Sequence, residues 1–428
     1  MRTFSTSLIV AWVLACGAPT FGCGTAASTP PGMVDGLGQG GAGGSGGSAG
    51  TDATPDAATS DAATSDVRAG NEAMSPSFGD LVLSDVADTP CVPARAPAVP
   101  LSEGMATASG FEAMGQLGDR RYAFGVEGSV VVTFGYDGAS PSPPVLGILG
   151  VAPQNGGLAA LVALKQGLGL QRYDALGAPE GSAVALDGST PSAPSVGAGP
   201  TGALAVWCTT DDVQGRFVDV TGQASPLISL GARSAGEGRC RTKTLWNGRD
   251  FTVFATRLLH NGKTETSIAY VGLDGTLEVS RVVVLSEGRH DLIDAVKSSF
   301  GYVVLFSEGD DTSNPTLFRL DAFGKILSPS LRVLGSRLGL GVAVSGSTFA
   351  LSAVLTKSGR AGMRSFDATG QALGPWVCLD DQAPSMAHAG RAAIGADDQG
   401  YAVVARMDDG SNWYMRTDLR GDGLPASD

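Results

Sequence analysis

One recurring phrase constrains this chain more than anything else in it: an extended stretch that ends in Asp, followed by two residues and a Gly. A clear copy is Gln171-Arg172-Tyr173-Asp174, followed by Ala175, Leu176 and Gly177. Ahead of each Asp lies a second phrase, a Gly-bearing turn and an apolar run; for Asp174 it is Gly157-Leu158-Ala159-Ala160-Leu161-Val162. The Asp markers are Asp137, Asp174, Asp219, Asp274, Asp321, Asp367 and Asp418, at spacings of 37 to 55 residues. The apolar runs open at Tyr122, Leu158, Leu204, Phe251, Tyr302, Phe349 and Tyr401. A period of roughly 40–50 residues is where four-stranded propeller blades fall.

Strands can be counted within one period. After the Asp174 turn come Ser182 to Leu186, a Ser/Pro loop, Ala193 to Gly197, Ala203 to Trp207 and Gln214 to Val218. Gly, Pro, Asp and Ser clusters separate them, the punctuation of an all-β chain. No segment keeps an apolar stripe at helical spacing for more than about two turns. A lone four-stranded blade leaves both faces bare, whereas a closed ring buries them and protects most strand edges. The expectation is therefore an all-β, seven-bladed β-propeller. A parallel β-helix would need a shorter period, about 20–25 residues, and two β-sandwiches would not need a sevenfold repeat.

The pattern Gly400-Tyr401-Ala402-Val403-Val404, or Ala203-Leu204-Ala205-Val206-Trp207, followed by Gln171 to Pro179 (Gln-Arg-Tyr-Asp-x-x-Gly-x-Pro), resembles the tandem repeats of bacterial surface propellers, over roughly residues 105–425. The resemblance implies a propeller architecture and carries over no shared active site. Trp207 alone keeps the Trp of that pattern, and the copy at Asp274 has a longer insert.

Residues 1–15 have the makings of a signal peptide: Arg2, then an apolar stretch from Phe4 to Ala15 too short to span and stop in a bilayer. Val13-Leu14-Ala15-Cys16 resembles a bacterial lipobox, so Cys16 is the candidate lipid attachment residue, with Cys23 behind bulky Phe21 as the alternative. Residues 16–77 are rich in Gly, Ala, Ser, Thr and Asp, a composition that buries too little apolar surface to offset chain entropy. They are expected to form a disordered tether, with the propeller over 78–428. Phe78 to Leu83 is expected as a strand before the first full blade and a candidate to seal the last one, since ten residues follow Asp418.

Net charge is −13, but the segment 52–88 alone holds eight acids against one base. The propeller is left only mildly acidic, which gives no electrostatic footprint for nucleic acid. Four cysteines fall outside the leader and tether. In an oxidising compartment such residues pair. Three pairings of the four are possible; Cys208 closes the apolar run of the third repeat and Cys240 opens a strand of the fourth, so adjacent blades could bring them together. Cys91 and Cys378 would then clasp the first segment to the last repeat. No two of the four stand at C-x-x-C spacing, which disfavours zinc, and no cofactor is expected.

Chemical motifs are sparse. Gly36-x-Gly38-x-x-Gly41 lies in the tether and Gly197-x-Gly199-x-x-Gly202 joins two strands, whereas a dinucleotide fingerprint needs a strand turning into a helix. His260, His290 and His388 fall in three different repeats with no triad pattern. Asp211-Asp212, Asp310-Asp311 and Asp408-Asp409 occupy equivalent connections, but two carboxylates supply too few oxygens for Ca²⁺. Arg239-Cys240-Arg241-Thr242-Lys243 places Arg239, Arg241 and Lys243 on one face of an extended strand. They are either an anion-binding patch or a ladder matched by carboxylates of a neighbouring blade. The leading expectation is a non-enzymatic, monomeric surface lipoprotein that binds a protein or glycan and meets the membrane only through its lipid anchor. The alternative is a propeller enzyme acting on glycans through carboxylates in the central cleft.

Overall fold

The structure, a computed structural model, describes residues 81–83, 92–93, 99–101 and most of 110–420. The signal peptide, Cys16, Cys23, the tether, Cys91 and Arg239 lie outside the described residues. Three short N-terminal strands come first: β1 (Leu81–Leu83), β2 (Val92–Pro93) and β3 (Val99–Leu101). The rest of the chain forms seven antiparallel sheets, and the protein is a seven-bladed β-propeller.

Blade 1 is β4 (Gly110–Leu117), β5 (Arg120–Val126), β6 (Val130–Gly135) and β7 (Val145–Leu146). Blade 2 is β8 (Ile148–Gln154), β9 (Gly157–Leu164), β10 (Gly167–Tyr173) and β11 (Pro179–Asp187). Blade 3 is β12 (Ser192–Gly199), β13 (Gly202–Cys208), β14 (Asp212–Asp219) and β15 (Ile228–Ala232). Blade 4 is β16 (Arg241–Trp246), β17 (Phe251–Leu258), β18 (Lys263–Val271) and β19 (Leu277–Glu287). Blade 5 is β20 (His290–Ser298), β21 (Gly301–Glu308), β22 (Asp311–Leu320) and β23 (Leu331–Val333). Blade 6 is β24 (Ser336–Ser345), β25 (Thr348–Leu355), β26 (Ala361–Phe366) and β27 (Val377–Cys378). Blade 7 has β28 (Ala393–Ala396), β29 (Gly400–Arg406) and β30 (Asn412–Asp418) from the C-terminal end, and β3 from the N-terminal end as its fourth strand.

The apolar run is the second strand of every blade, and its sequence explains its place. β13 is buried at all seven residues, because each of its faces meets a neighbouring blade. Strands buried on both faces read as continuous apolar runs without alternation. The outer strand β11 is exposed over Pro179 to Ser182. Each pair of adjacent blades shares one apolar cluster. Between blades 7 and 1, for example, Phe111 and Phe134 pack with Val404 and Tyr414. The first strands follow one another around the axis and close where β28 meets β4. That approach requires Gly395, since a Cβ there would stand 2.9 Å from the Met114 carbonyl oxygen.

Two expectations are corrected and one point left open by the sequence is settled. The strand that completes blade 7 is β3, antiparallel on β30 with Val99 opposite Tyr414, not Leu81–Leu83. β1 instead adds a fifth strand to blade 5, parallel to β23, and β2 does the same on β27 of blade 6. Second, the phase of strands to blades, which the sequence leaves open, is set by the Asp marker lying between the third and fourth strands of a blade, so Ser182 to Leu186 closes blade 2. Third, Asp274 is not the equivalent of the other markers. In blade 4 the turn starts at Gly272, whose carbonyl accepts from Gly275 N at 3.0 Å, as the Asp174 carbonyl accepts from Gly177 N.

Candidate functional site

The Asp turns are built from local hydrogen bonds. Asp174 Oδ1 accepts from the backbone N–H groups of Leu176 and Ala178, each at 2.8 Å. Asp219, Asp321 and Asp367 repeat this with the residues two and four ahead. The fourth residue takes a positive φ in each case, from 80° at Gly177 and Gly324 to 89° at Gly222, which a side chain would strain. In blade 4 Asp274 does the capping two positions later, accepting from Thr276 N at 3.0 Å and Thr276 Oγ1 at 2.7 Å. The Thr221 hydroxyl, then backbone N–H groups, hold the Asp219 carboxyl below its ordinary value, and Thr276 does the same for Asp274. At Asp367 burial pushes the carboxyl up, but the Thr369 hydroxyl and three backbone bonds together bring it below the ordinary value.

In three blades the residue two positions before the turn joins the blade to the next. Arg172 of blade 2 donates to the carbonyls of Asp219 and Val220 in blade 3. Tyr270 of blade 4 donates to the Ala322 carbonyl of blade 5 at 2.9 Å, and Arg319 of blade 5 to the Ala368 carbonyl of blade 6. The Gln-Arg-Tyr-Asp phrase thus encodes a turn and a cross-blade clamp together. Beside Arg172 a small cleft of about 120 Å³ opens between blades 2 and 3, lined by Gln154, Asn155, Tyr173 and Glu180 among others.

Ionic chemistry concentrates at two other places. At the closure between blades 7 and 1, the fully buried Arg121 donates to Asp397 Oδ2, and Arg416 Nη2 approaches the same oxygen at 3.4 Å. Asp397 Oδ1 accepts from Gln399 N at 2.8 Å and Gly400 N at 2.9 Å. Around the axis, Lys243 Nζ of blade 4 lies 2.6 Å from Asp294 Oδ1 of blade 5, whose Oδ2 accepts from Val342 N of blade 6 at 3.2 Å. On the other side of β16, Thr244 and Thr242 hydroxyls meet Ser195 Oγ of blade 3 at 2.8 and 2.9 Å. Burial, followed by the charge of Asp294, pushes the Tyr122 hydroxyl well above the ordinary tyrosine value. Tyr401 is pushed up to about 12, by burial first.

The residues singled out in the sequence fall as follows. Lys243 is ion-paired to the neighbouring blade, and Arg241 is half-buried one turn of the pleat before it on the same strand. Cys208 and Cys240 form a disulfide between blades 3 and 4, with Cα atoms 6.2 Å apart, inside the apolar cluster of that junction. Cys378, on β27, is disulfide-bonded as well. Of the acidic pairs, Asp212 opens β14 and Asp311 opens β22. Among the described residues no three His, Cys, Asp or Glu side chains are grouped to hold a metal.

Arg121, Asp397, Arg416 and Asp294 escaped the sequence reading. Arg416 carried a usable signal, since it stands two residues before the Asp418 marker, as Arg172 does before Asp174. Asp397 carried none, because its partner lies 276 residues away.

Seven antiparallel blades whose first strands close into a ring define the class, a seven-bladed β-propeller. Among solved structures the chain is similar to a puromycin hydrolase mutant complexed with PGG, at 15% identity and TM-score 0.48, over 79% of this chain and 56% of that one. It is similar to the Cps50 (Swd1) β-propeller domain of Myceliophteria thermophila at 13% identity and TM-score 0.46, over 75% and 99% of the two chains. A prolyl endopeptidase structure matches at 12% identity and TM-score 0.47, over 76% and 50%. The chain thus spans about half the length of the hydrolase and of the endopeptidase. No protein-family model matches the chain, and no curated protein matches it in sequence.

Proposed function

We propose that this chain is a surface lipoprotein, anchored through Cys16, whose propeller binds a protein or glycan and performs no chemistry on it. One observation carries the reading: eight described carboxylates are engaged in holding the fold together. Asp174, Asp219, Asp274, Asp321 and Asp367 cap turns. Asp397 is buried against two arginines, Asp294 meets Lys243, and Glu265 meets Arg257. A glycan-cleaving propeller would instead need two carboxyl groups facing one pocket at about 5–10 Å. Arg241, next to the Lys243–Asp294 pair, is the cation offered to an acidic group on the ligand. The membrane is reached through the acyl chains on Cys16, several of which give stable anchoring where one does not.

The test is capture. The non-acylated chain, immobilised, should retain a discrete protein or polysaccharide from surface extracts, and Arg241→Ala should weaken that retention. Turnover of a glycan, abolished by substituting a single carboxylate, would overturn the binding reading. An unmodified Cys16 in chain extracted from membranes would overturn the anchor.

A further inference from the structure

The third-to-fourth-strand turns carry a second pattern besides their Asp and Gly. The two residues at the tip between them include an exposed apolar side chain in four consecutive blades. These are Leu176 in blade 2 (59% exposed), Val220 in blade 3 (45%), Leu273 in blade 4 (38%) and Phe323 in blade 5 (71%). Isolated exposed aliphatics are ordinary on protein surfaces. An exposed apolar residue on the turn tips of four consecutive blades is not, with Val220 and Leu273 at the first tip position and Leu176 and Phe323 at the second. Blade 6 has Ala368 and Thr369 at its tip, and in blade 7 Leu419 folds back onto the apolar cluster. Among the described residues the arc therefore covers blades 2–5.

Strand direction says what this arc faces. Within a blade the third strand runs toward the Asp turn and the fourth runs away from it. β1 is parallel to β23, the fourth strand of blade 5. It too runs away from the turn end, so Leu81 is its nearest residue to the Asp321–Gly324 turn that bears Phe323. The described chain thus begins, at Leu81, on the turn side of blade 5, the blade whose tip is most exposed.

We infer that this face rests on the lipid surface to which the chain is tethered, with Leu176, Val220, Leu273 and Phe323 entering the interfacial layer. The inference rests on the lipid anchor proposed above, because tethering makes weak docking effective. A coil of about sixty residues reaches roughly 40–45 Å and keeps the propeller at a local concentration on the order of millimolar. Apolar tips on rigid turns gain by partial burial in the headgroup and acyl boundary. The capping carboxylates stand beside them, so the surface recognised is zwitterionic, and anionic lipid opposes docking.

The experiment separates docking from anchoring by using the full chain with Cys16→Ser, which carries no acyl group. Its flotation is measured with phosphatidylcholine vesicles and with vesicles one-third phosphatidylglycerol. The chain should float with the first and less with the second. The variant Leu273→Ser with Phe323→Ser should lose about tenfold or more of the partitioning while keeping its circular dichroism and melting temperature. Three results overturn the inference: no flotation on phosphatidylcholine, equal flotation by the double variant, or a concentration-dependent dimer that the same substitutions dissolve. The anchor is tested apart from this, by the mass of the Cys16 peptide from membranes.

Discussion

Two junctions in the ring solve the same packing problem by different means. Between blades 3 and 4 the chain is continuous, and the contact is sealed by Cys208–Cys240 within an apolar cluster, with a Ser and two Thr hydroxyls toward the axis. Between blades 7 and 1 the strands that meet, β28 and β4, come from opposite ends of the described sequence. There the structure buries Arg121, Asp397 and Arg416 together and adds β3 to blade 7. A buried ion group contributes little net stability but penalises any arrangement that separates its members. Where consecutive strands already bring blades together, apolar packing and a covalent bond suffice. Where sequence gives no such guidance, directional charges set the register of closure.

The comparison can be broken at the closure first. Asp397→Asn should destabilise the fold by about 3–5 kcal/mol, because Arg121 would remain buried without its charge partner. Replacing both as Arg121→Met with Asp397→Leu should cost less than the single change. Urea unfolding of the three variants checks this, and a double variant worse than the single would remove the case for a register-setting pair.

Removing the disulfide as Cys208→Ser with Cys240→Ser should cost roughly 3.7 kcal/mol in the chain-entropy model for a loop of this length. Retained stability in the double variant would place that junction on apolar packing alone. Arg172→Ala removes two cross-blade bonds from a charged donor and should cost about 1.5–3 kcal/mol, read as a lower thermal midpoint. Proteolysis at the 219–223 turn should rise with it.

The smallest effect is on pH. Asp219, Asp274 and Asp367 are held below the ordinary carboxyl value of 3.8. Their contribution is complete above that value and is lost as pH falls through the lower folded values. Stability measured from pH 5 down to pH 2 should therefore fall, and Asp219→Asn with Asp367→Asn should flatten the decline. An unchanged slope would show that other carboxyls govern acid unfolding.

The turns and second strands were legible because their causes are local. An Asp that caps the residues two and four ahead, followed by a Gly at positive φ, writes its geometry within five residues. Asp274 reads as the marker in place of Gly272 for a related reason: it supplies the same kind of cap from inside the turn. The cross-blade reach of Arg172 was not legible, since it depends on how two blades are staggered. β3 was missed because Pro100 makes Val99-Pro100-Leu101 look like a loop. On an outer strand Pro is tolerated, its missing N–H facing away from the ladder. Pro93 in β2 sits on an outer edge in the same way, where it also discourages pairing with another chain.

The fourth strand of blade 7 has a consequence for the order of events in folding. Val99 pairs with Tyr414, so a segment made early waits for nearly the whole chain before it finds its partner. Closing so long a loop instead of one of about thirty residues costs only about 2 kcal/mol more entropy. Its larger effect is on rate, because long-range pairings form slowly. Until Asn412–Asp418 arrives, β3 and the outer edge of the last blade both stand open. A chain truncated before that segment would keep six blades' worth of sequence and still present unpaired edges, the state from which strand-to-strand aggregation begins.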